Sequence, residues 1–107
     1  MRKYHNRPTN GFASKREAKR AVELQLLEKA GEIRNLRMQV KYEIIPKQDG
    51  ERAAHYIADF VYDTYSMIGG WEAQQTICED VKGFRTHEYV LKRKLMLLVH
   101  GIRIQEI

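Results

Sequence analysis

Two short stretches of the chain hold side chains that could do chemistry together. Asp59 stands in the middle of the apolar run Tyr56-Ile57-Ala58-Asp59-Phe60-Val61-Tyr62. A carboxylate there is costly unless it is paired, hydrogen-bonded or bound to a cation. Further on comes Cys78-Glu79-Asp80-Val81-Lys82-Gly83. Side chains alternate along a strand, so Asp80 and Lys82 share one face and Glu79 and Val81 the other. Pairing the two runs in a hairpin sets Asp80 and Lys82 beside Asp59, and two carboxylates and an ammonium converge. Oxygen donors of this kind suit Mg²⁺, which keeps several waters and favours phosphate-bearing substrates, with Mn²⁺ as the alternative. The ammonium can orient an attacking water or help to deprotonate it. The plainer readings are a solvated aspartate on an edge strand and a salt bridge from Lys82 to Asp80 or Asp59. A bare D-x-K triplet is common by chance.

The elements that must position these groups are legible from periodicity and turn residues. Ser14 reads as a helix N-cap with Glu17 at the capping-box spacing. The helix that follows runs to Ala30, with Ala18, Ala21, Val22, Leu24, Leu26 and Leu27 as apolar positions and Gly31 closing it. Leu36 to Ile45 alternates as a strand, with Leu36, Met38, Val40, Tyr42 and Ile44 on one side. His55 to Tyr62 and Trp71 to Lys82 are further strands, separated by the turn at Gly69-Gly70. Thr86 to about His100 reads as a second helix, with Tyr89, Val90, Leu91, Leu95, Leu97, Leu98 and Val99 apolar and Gly101 at its end. Ile102 to Glu106 suggests a last strand. Three strands joined by short turns predict an antiparallel meander, and a strand after a helical crossover predicts a parallel partner.

This order, with an aspartate in the second strand and D-x-K in the third, resembles the PD-(D/E)xK nuclease superfamily over nearly the whole chain after residue 13. In finer detail it is similar to small phage-encoded proteins with Ser14-Lys15-Arg16-Glu17-Ala18, Gly31-Glu32-Ile33, Gln39, Ala58-Asp59-Phe60 and Glu79-Asp80-Val81-Lys82-Gly83. It also resembles transposon-end-cleaving and junction-resolving nucleases. The resemblance implies an α/β fold, a restriction-endonuclease-like αβββαβ core whose mixed four-stranded sheet is flanked by helices. It implies an Mg²⁺-dependent DNA endonuclease that leaves 5′-phosphate and 3′-hydroxyl ends, acting on branched or junction DNA in phage replication or recombination. Asp59 matches the metal-binding aspartate, Asp80 the second acidic ligand, the Val81 carbonyl a backbone ligand and Lys82 the catalytic lysine. Glu17 matches the helical glutamate that completes the site, with Glu23, nearly two turns on, as its rival; a capping box alone would also explain Glu17. Two positions depart from the commonest pattern: Ala58 replaces the proline, and Asp80 replaces the usual glutamate.

Around this core, Gln39 and His87 are candidate neighbours of the site, each with a plain solvated reading beside it. Arg85 and Lys92 could line one side and contact phosphates, while Lys92, Arg93 and Lys94 must spread around their helix. Arg2, Lys3 and Arg7 belong to a basic arm over residues 1–13 that could follow a DNA backbone, ahead of a single domain over 14–107. Tyr4, Tyr65 and Trp71 could stack on bases. DNA is the expected partner, with a homodimer supplying two sites for two strands.

Composition sets the outer bounds. The 107 residues suffice for one core, and 19 Lys and Arg against 14 Asp and Glu give a net charge of +5. One cysteine, Cys78, excludes an internal disulfide and a cysteine-based zinc cluster, and reads as a small core residue. No run approaches the length of a membrane span and Met1 to Pro8 lacks the apolar stretch of a signal peptide, so the expectation is the reducing interior of a cell; the resemblance implies that this is the cytoplasm of a bacterial cell and that the protein is phage- or prophage-encoded. The reading from another class is a non-catalytic nucleic-acid-binding module on the same fold; a structural protein of phage assembly is a third.

Overall fold

The computed structural model describes residues 14–82 and 84–107. The basic arm, with Arg2, Lys3, Tyr4 and Arg7, lies outside the described residues, as does Gly83.

Helix α1 (Lys15–Lys29) begins where the hydroxyl of Ser14 accepts the Glu17 N–H at 3.1 Å, the hydroxyl half of the expected capping box. It ends at Ala30, and Gly31 takes the left-handed φ of 82° that lets the chain turn away. Strands β1 (Arg34–Ile45), β2 (Ala54–Ile68) and β3 (Trp71–Asp80) follow, then α2 (His87–His100), capped by Thr86, and β4 (Gln105–Glu106). The sheet order is β1-β2-β3-β4. The first two pairings are antiparallel and β3–β4 is parallel, the meander plus crossover expected for an αβββαβ chain.

The strand ends differ from the sequence expectation for local reasons. Strand β2 continues beyond Tyr62 to Ile68 because its partner β3 extends with it down to Trp71. Strand β3 stops at Asp80 instead of Lys82: the Val81 N–H donates to Asp59 Oδ2 at 2.8 Å rather than to a neighbouring strand. Strand β4 is short because the Ile102 N–H closes α2 on the Met96 carbonyl and Ile104 is spent in the core.

A second departure shapes the site. Alternation put Leu36, Met38, Val40, Tyr42 and Ile44 on one face of β1. In the fold, Leu36 and Met38 pack with the α1 core, around Ala21, Leu24, Phe60 and Tyr62, whereas Val40, Tyr42 and Ile44 pack with the α2 core, around Tyr56, Ala58, Tyr89 and Met96. The switch falls at Gln39, whose φ of 54° lies in the left-handed region and breaks the alternation. Strand β2 switches at the same level, between Ala58 and Phe60. The pairs Val40↔Ala58 and Met38↔Phe60 set Gln39 across from Asp59. Asp59 therefore sits on an interior strand, not at a solvated edge, at the point where the two faces exchange.

Each fully buried apolar side chain here, such as Leu24, Phe60 or Met96, contributes on the order of 1.5–3 kcal/mol. Several expected core positions are exposed instead: Val22, Leu26 and Leu27 on α1, and Leu91, Leu97, Leu98 and Val99 on α2. Each helix covers one face of a narrow sheet, so only one stripe of it is buried. No helix among the described residues is long and apolar enough to cross a membrane.

Candidate active site

Asp59, Asp80 and Lys82 line one cavity of about 310 Å³, together with Tyr56, Tyr89 and Lys92. The carboxyls of residues 59 and 80 thus face the same space, as the strand pairing predicted. Asp80 is fully buried on the α2 side, where the Tyr56 hydroxyl donates to its Oδ2. Its Oδ1 makes no hydrogen bond and faces the Lys82 ammonium at 3.2 Å as an ion pair. That ammonium also stands 4.4 Å above the centre of the Tyr89 ring.

The switch at Gln39 and Asp59 brings α1 to the same place. Glu17 is buried, and its Oε2 accepts from Gln39 Nε2 at 3.3 Å. Asp59 is pushed up to about 7, first by burial and then by the charges of Asp80 and Glu17 and a hydrogen bond with Glu17. The Val81 N–H works against that shift. An acid so placed holds its proton near neutrality. The same field, after burial, pushes the Cys78 thiol up to about 12, so it stays an inert core group. Among the described residues, no set of three or more His, Cys, Asp and Glu side chains stands at the spacing of a preformed metal cage.

Glu79 points to the opposite face, as alternation requires. It is 1% exposed and takes a two-pronged ion pair from Arg20, at 2.8 and 2.6 Å, with the Tyr62 hydroxyl donating to its Oε2. This buried pair ties α1 to β3 and so holds Glu17 over the sheet. Arg16 ties the helix start to the segment just past the same end of β3, donating to the carbonyls of Lys82 at 3.2 Å and Ile107 at 2.9 Å.

The remaining expected residues divide. Gln39, read as plainly solvated or as a neighbour of the site, is exposed and also donates to Glu17. Glu23 is half-exposed and turns toward Arg20 at 3.8 Å, away from the acids. His87 is exposed and does not line the cavity. Lys92 lines it and pairs with Glu88 at 3.1 Å. Arg85 does not share that side with Lys92: it precedes α2 and binds Glu106 instead. Tyr65 lies under the Arg34 guanidinium, and Trp71 is exposed at a hairpin tip, at the opposite end of β3 from Asp80. Sequence reasoning missed Tyr56, Tyr89, Arg16, Arg20 and Glu79 as supports. Their types carried a signal, since a Tyr in an apolar run has a hydroxyl to satisfy, but no pattern named the partner.

Fold and site together define a small α/β domain with an acid–lysine cluster at the junction of its two helical faces. The chain belongs to the family described as "Protein of unknown function (DUF1064)", whose model matches residues 3–102. No curated protein and no solved structure matches it.

Proposed function

We propose that the protein is a metal-dependent endonuclease of the PD-(D/E)xK type, hydrolysing phosphodiester bonds of DNA, with branched or junction DNA of phage replication or recombination as its substrate. One observation carries the reading. Three acids from different elements meet at Asp59: burial first, then the charges of Asp80 and Glu17, push it up to about 7, and Lys82 pairs with Asp80. A salt bridge alone explains one acid and one lysine, not three acids.

The residues fit a divalent cation. Asp80 offers a buried oxygen without a hydrogen bond, and the crowded carboxylates lack a counter-charge that Lys82 alone supplies only in part. Asp59, Asp80, Glu17 and the Val81 carbonyl would hold Mg²⁺, or Mn²⁺. Mg²⁺ is ordinarily held through one or two carboxylates, waters and substrate phosphates rather than by an all-protein cage. When bound, such an ion neutralises phosphate charge and acidifies water.

The side chains divide the remaining work. Tyr56 fixes the Asp80 carboxylate, and Gln39 fixes Glu17. Lys82, steadied by Asp80 and the Tyr89 ring, orients the attacking water. The water oxygen bonds to phosphorus as the bond to the 3′-oxygen breaks, and that oxygen takes up a proton. The products carry a 5′-phosphate and a 3′-hydroxyl.

The test is incubation of plasmid and four-way-junction DNA with the protein in Mg²⁺ or in EDTA. Cutting in Mg²⁺ alone, lost in Lys82→Ala and Asp59→Ala, is the expected result. Binding without cutting under Mg²⁺ or Mn²⁺ would instead favour a non-catalytic nucleic-acid module, with Asp59 and Asp80 as ordinary ion-pair partners. A homodimer would present two sites to two strands, which sizing by light scattering with and without junction DNA can read.

A further inference from the structure

The cavity around Asp59 does not end at Lys82. That lysine also walls a second cavity, of about 540 Å³, with Arg16, Phe84 and Arg85. Arg85 and Glu106 in turn wall a third, of about 470 Å³, with Arg93, Lys94 and Arg103. Shared lining residues set the three side by side, as a track from the acids to α2 and the approach to β4.

We propose that this track carries an unpaired nucleic-acid strand away from Lys82, with Lys94 and Arg103 gripping its phosphates and Phe84 stacking on a base. The inference rests on the nuclease reading and names how its substrate is held.

The charges of the third cavity separate into two kinds. Glu106 is held at about 2, first by the Tyr89 hydroxyl, then by Arg93 and Arg85. The distances are 2.7 Å to Tyr89, 2.7 and 2.5 Å to Arg85, and 3.0 Å to Arg93. Those two guanidiniums are therefore occupied inside the protein. Lys94 and Arg103 are exposed and form no ion pair with any described residue. Four cations around one carboxylate leave a surplus of three positive charges among the described residues. A small anion could satisfy one of them, but the surplus continues through Arg16 in the adjoining cavity, whose printed partners are backbone carbonyls, so the matching ligand is an extended polyanion. Phe84 selects further. Its ring is 79% exposed at the wall of the cationic second cavity, where an apolar group gains nothing from a bare phosphate. Basic grooves with exposed aromatic rings are how proteins bind single strands, because every unpaired base has a face to stack.

Fluorescence anisotropy tests this with a short single-stranded oligonucleotide and a matching duplex, in EDTA so that no strand is cut, at several salt concentrations. For the double variant Lys94→Ala/Arg103→Ala, affinity for the single strand should fall about tenfold. The slope of log K against log salt should shrink by roughly 0.7 for each phosphate no longer neutralised. For Phe84→Ala, a loss of about tenfold should appear on the single strand, less on the duplex, with the slope unchanged. Lys29→Glu, at the far end of α1, serves as the control and should leave the single-strand slope unchanged. Wild-type affinity and slope in both track variants would overturn the track while leaving the nuclease reading intact. An equal loss in the Lys29 control would also overturn it, by reducing the effect to net charge. Absence of any DNA binding or cutting by the wild type would sink both proposals, whereas track-dependent binding without cutting in Mg²⁺ supports the track and removes the nuclease.

Discussion

Asp59 is where the fold opposes ordinary solution behaviour. Its carboxyl is pushed from 3.8 to about 7, so the folded chain binds a proton there that the unfolded chain releases. Stability from this group is complete below about pH 4 and is lost as pH rises toward 7. In EDTA, the thermal midpoint should therefore decline between pH 4 and 7, and Asp59→Asn should remove most of that decline. Above pH 7, added Mg²⁺ should raise the midpoint of the wild type and not of Asp59→Asn, with proton uptake or release followed by calorimetry. An unchanged pH slope in Asp59→Asn would place the proton on another group. Glu106 acts in the opposite sense. Held at about 2 by Tyr89, Arg93 and Arg85, it contributes stability above about 4.5 that disappears as pH falls toward 2. Lys82→Ala should cut the cleavage rate by roughly 10²–10⁴-fold, the usual range for a positioned proton-transfer or orienting group. Circular dichroism should show the fold retained, since the Lys82 side chain is about a third exposed.

At the scale of the element, two devices carry the acids to one place. The first is the left-handed residue Gln39, which turns the faces of β1 over opposite Asp59. A β-branched side chain tolerates that conformation poorly, so Gln39→Val should cost about 1–2 kcal/mol in a denaturant titration. Gln39→Gly relieves the backbone and should hold or gain up to about 1 kcal/mol, yet it removes the hydrogen bond to Glu17. Stability that rises while cleavage falls is the signature of a residue kept for the site. The second device is the buried Arg20–Glu79 pair between α1 and β3. Arg20→Ala leaves a buried carboxylate uncompensated and should cost roughly 3–5 kcal/mol, whereas the double change Arg20→Met/Glu79→Gln should recover much of it. If the double variant is no better than the single one, the loss is of packing rather than of charge compensation.

At the scale of the whole molecule, the extents of 52 × 37 × 19 Å describe a flat, elongated body. Its length comes from β2 and β3, which run on as a two-stranded ribbon beyond the last pairing with β1 at Asp63. Asp63, buried, anchors the ribbon root by accepting from Asn35 at 2.8 Å and Thr76 at 3.0 Å. Past that point no helix among the described residues covers it, and Met67, Ile68 and Trp71 are exposed at the tip. Two strands alone are marginally stable. Amides over residues 64–75 should exchange roughly 100-fold faster than those of residues 56–62, read by hydrogen exchange with mass spectrometry. Equal protection would mean that a second copy or another partner covers the ribbon in solution.

The sequence by itself determined the succession of elements, because that depends on local signals: the Ser14 and Thr86 caps, the glycines at 31 and 101, the turn at Gly69-Gly70 and the strand alternation. It also determined that Asp80 and Glu79 take opposite faces, since alternation within β3 needs no tertiary context, whereas Lys82, past the strand end, is brought to Asp80 by their ion pair. Tertiary structure decided the rest. Only the register across β1 and β2 sets Gln39 opposite Asp59, and only the left-handed turn there overturns the single-face reading of β1. The choice of Glu17 over Glu23 depends on how α1 lies across the sheet, which the Arg20–Glu79 pair sets between residues far apart in the chain. Exposure of Leu26, Leu98 and their neighbours follows from having one helix on each face of a narrow sheet. Apolar residue type records a preference for burial, whereas the number of surfaces available to bury it is a property of the folded whole.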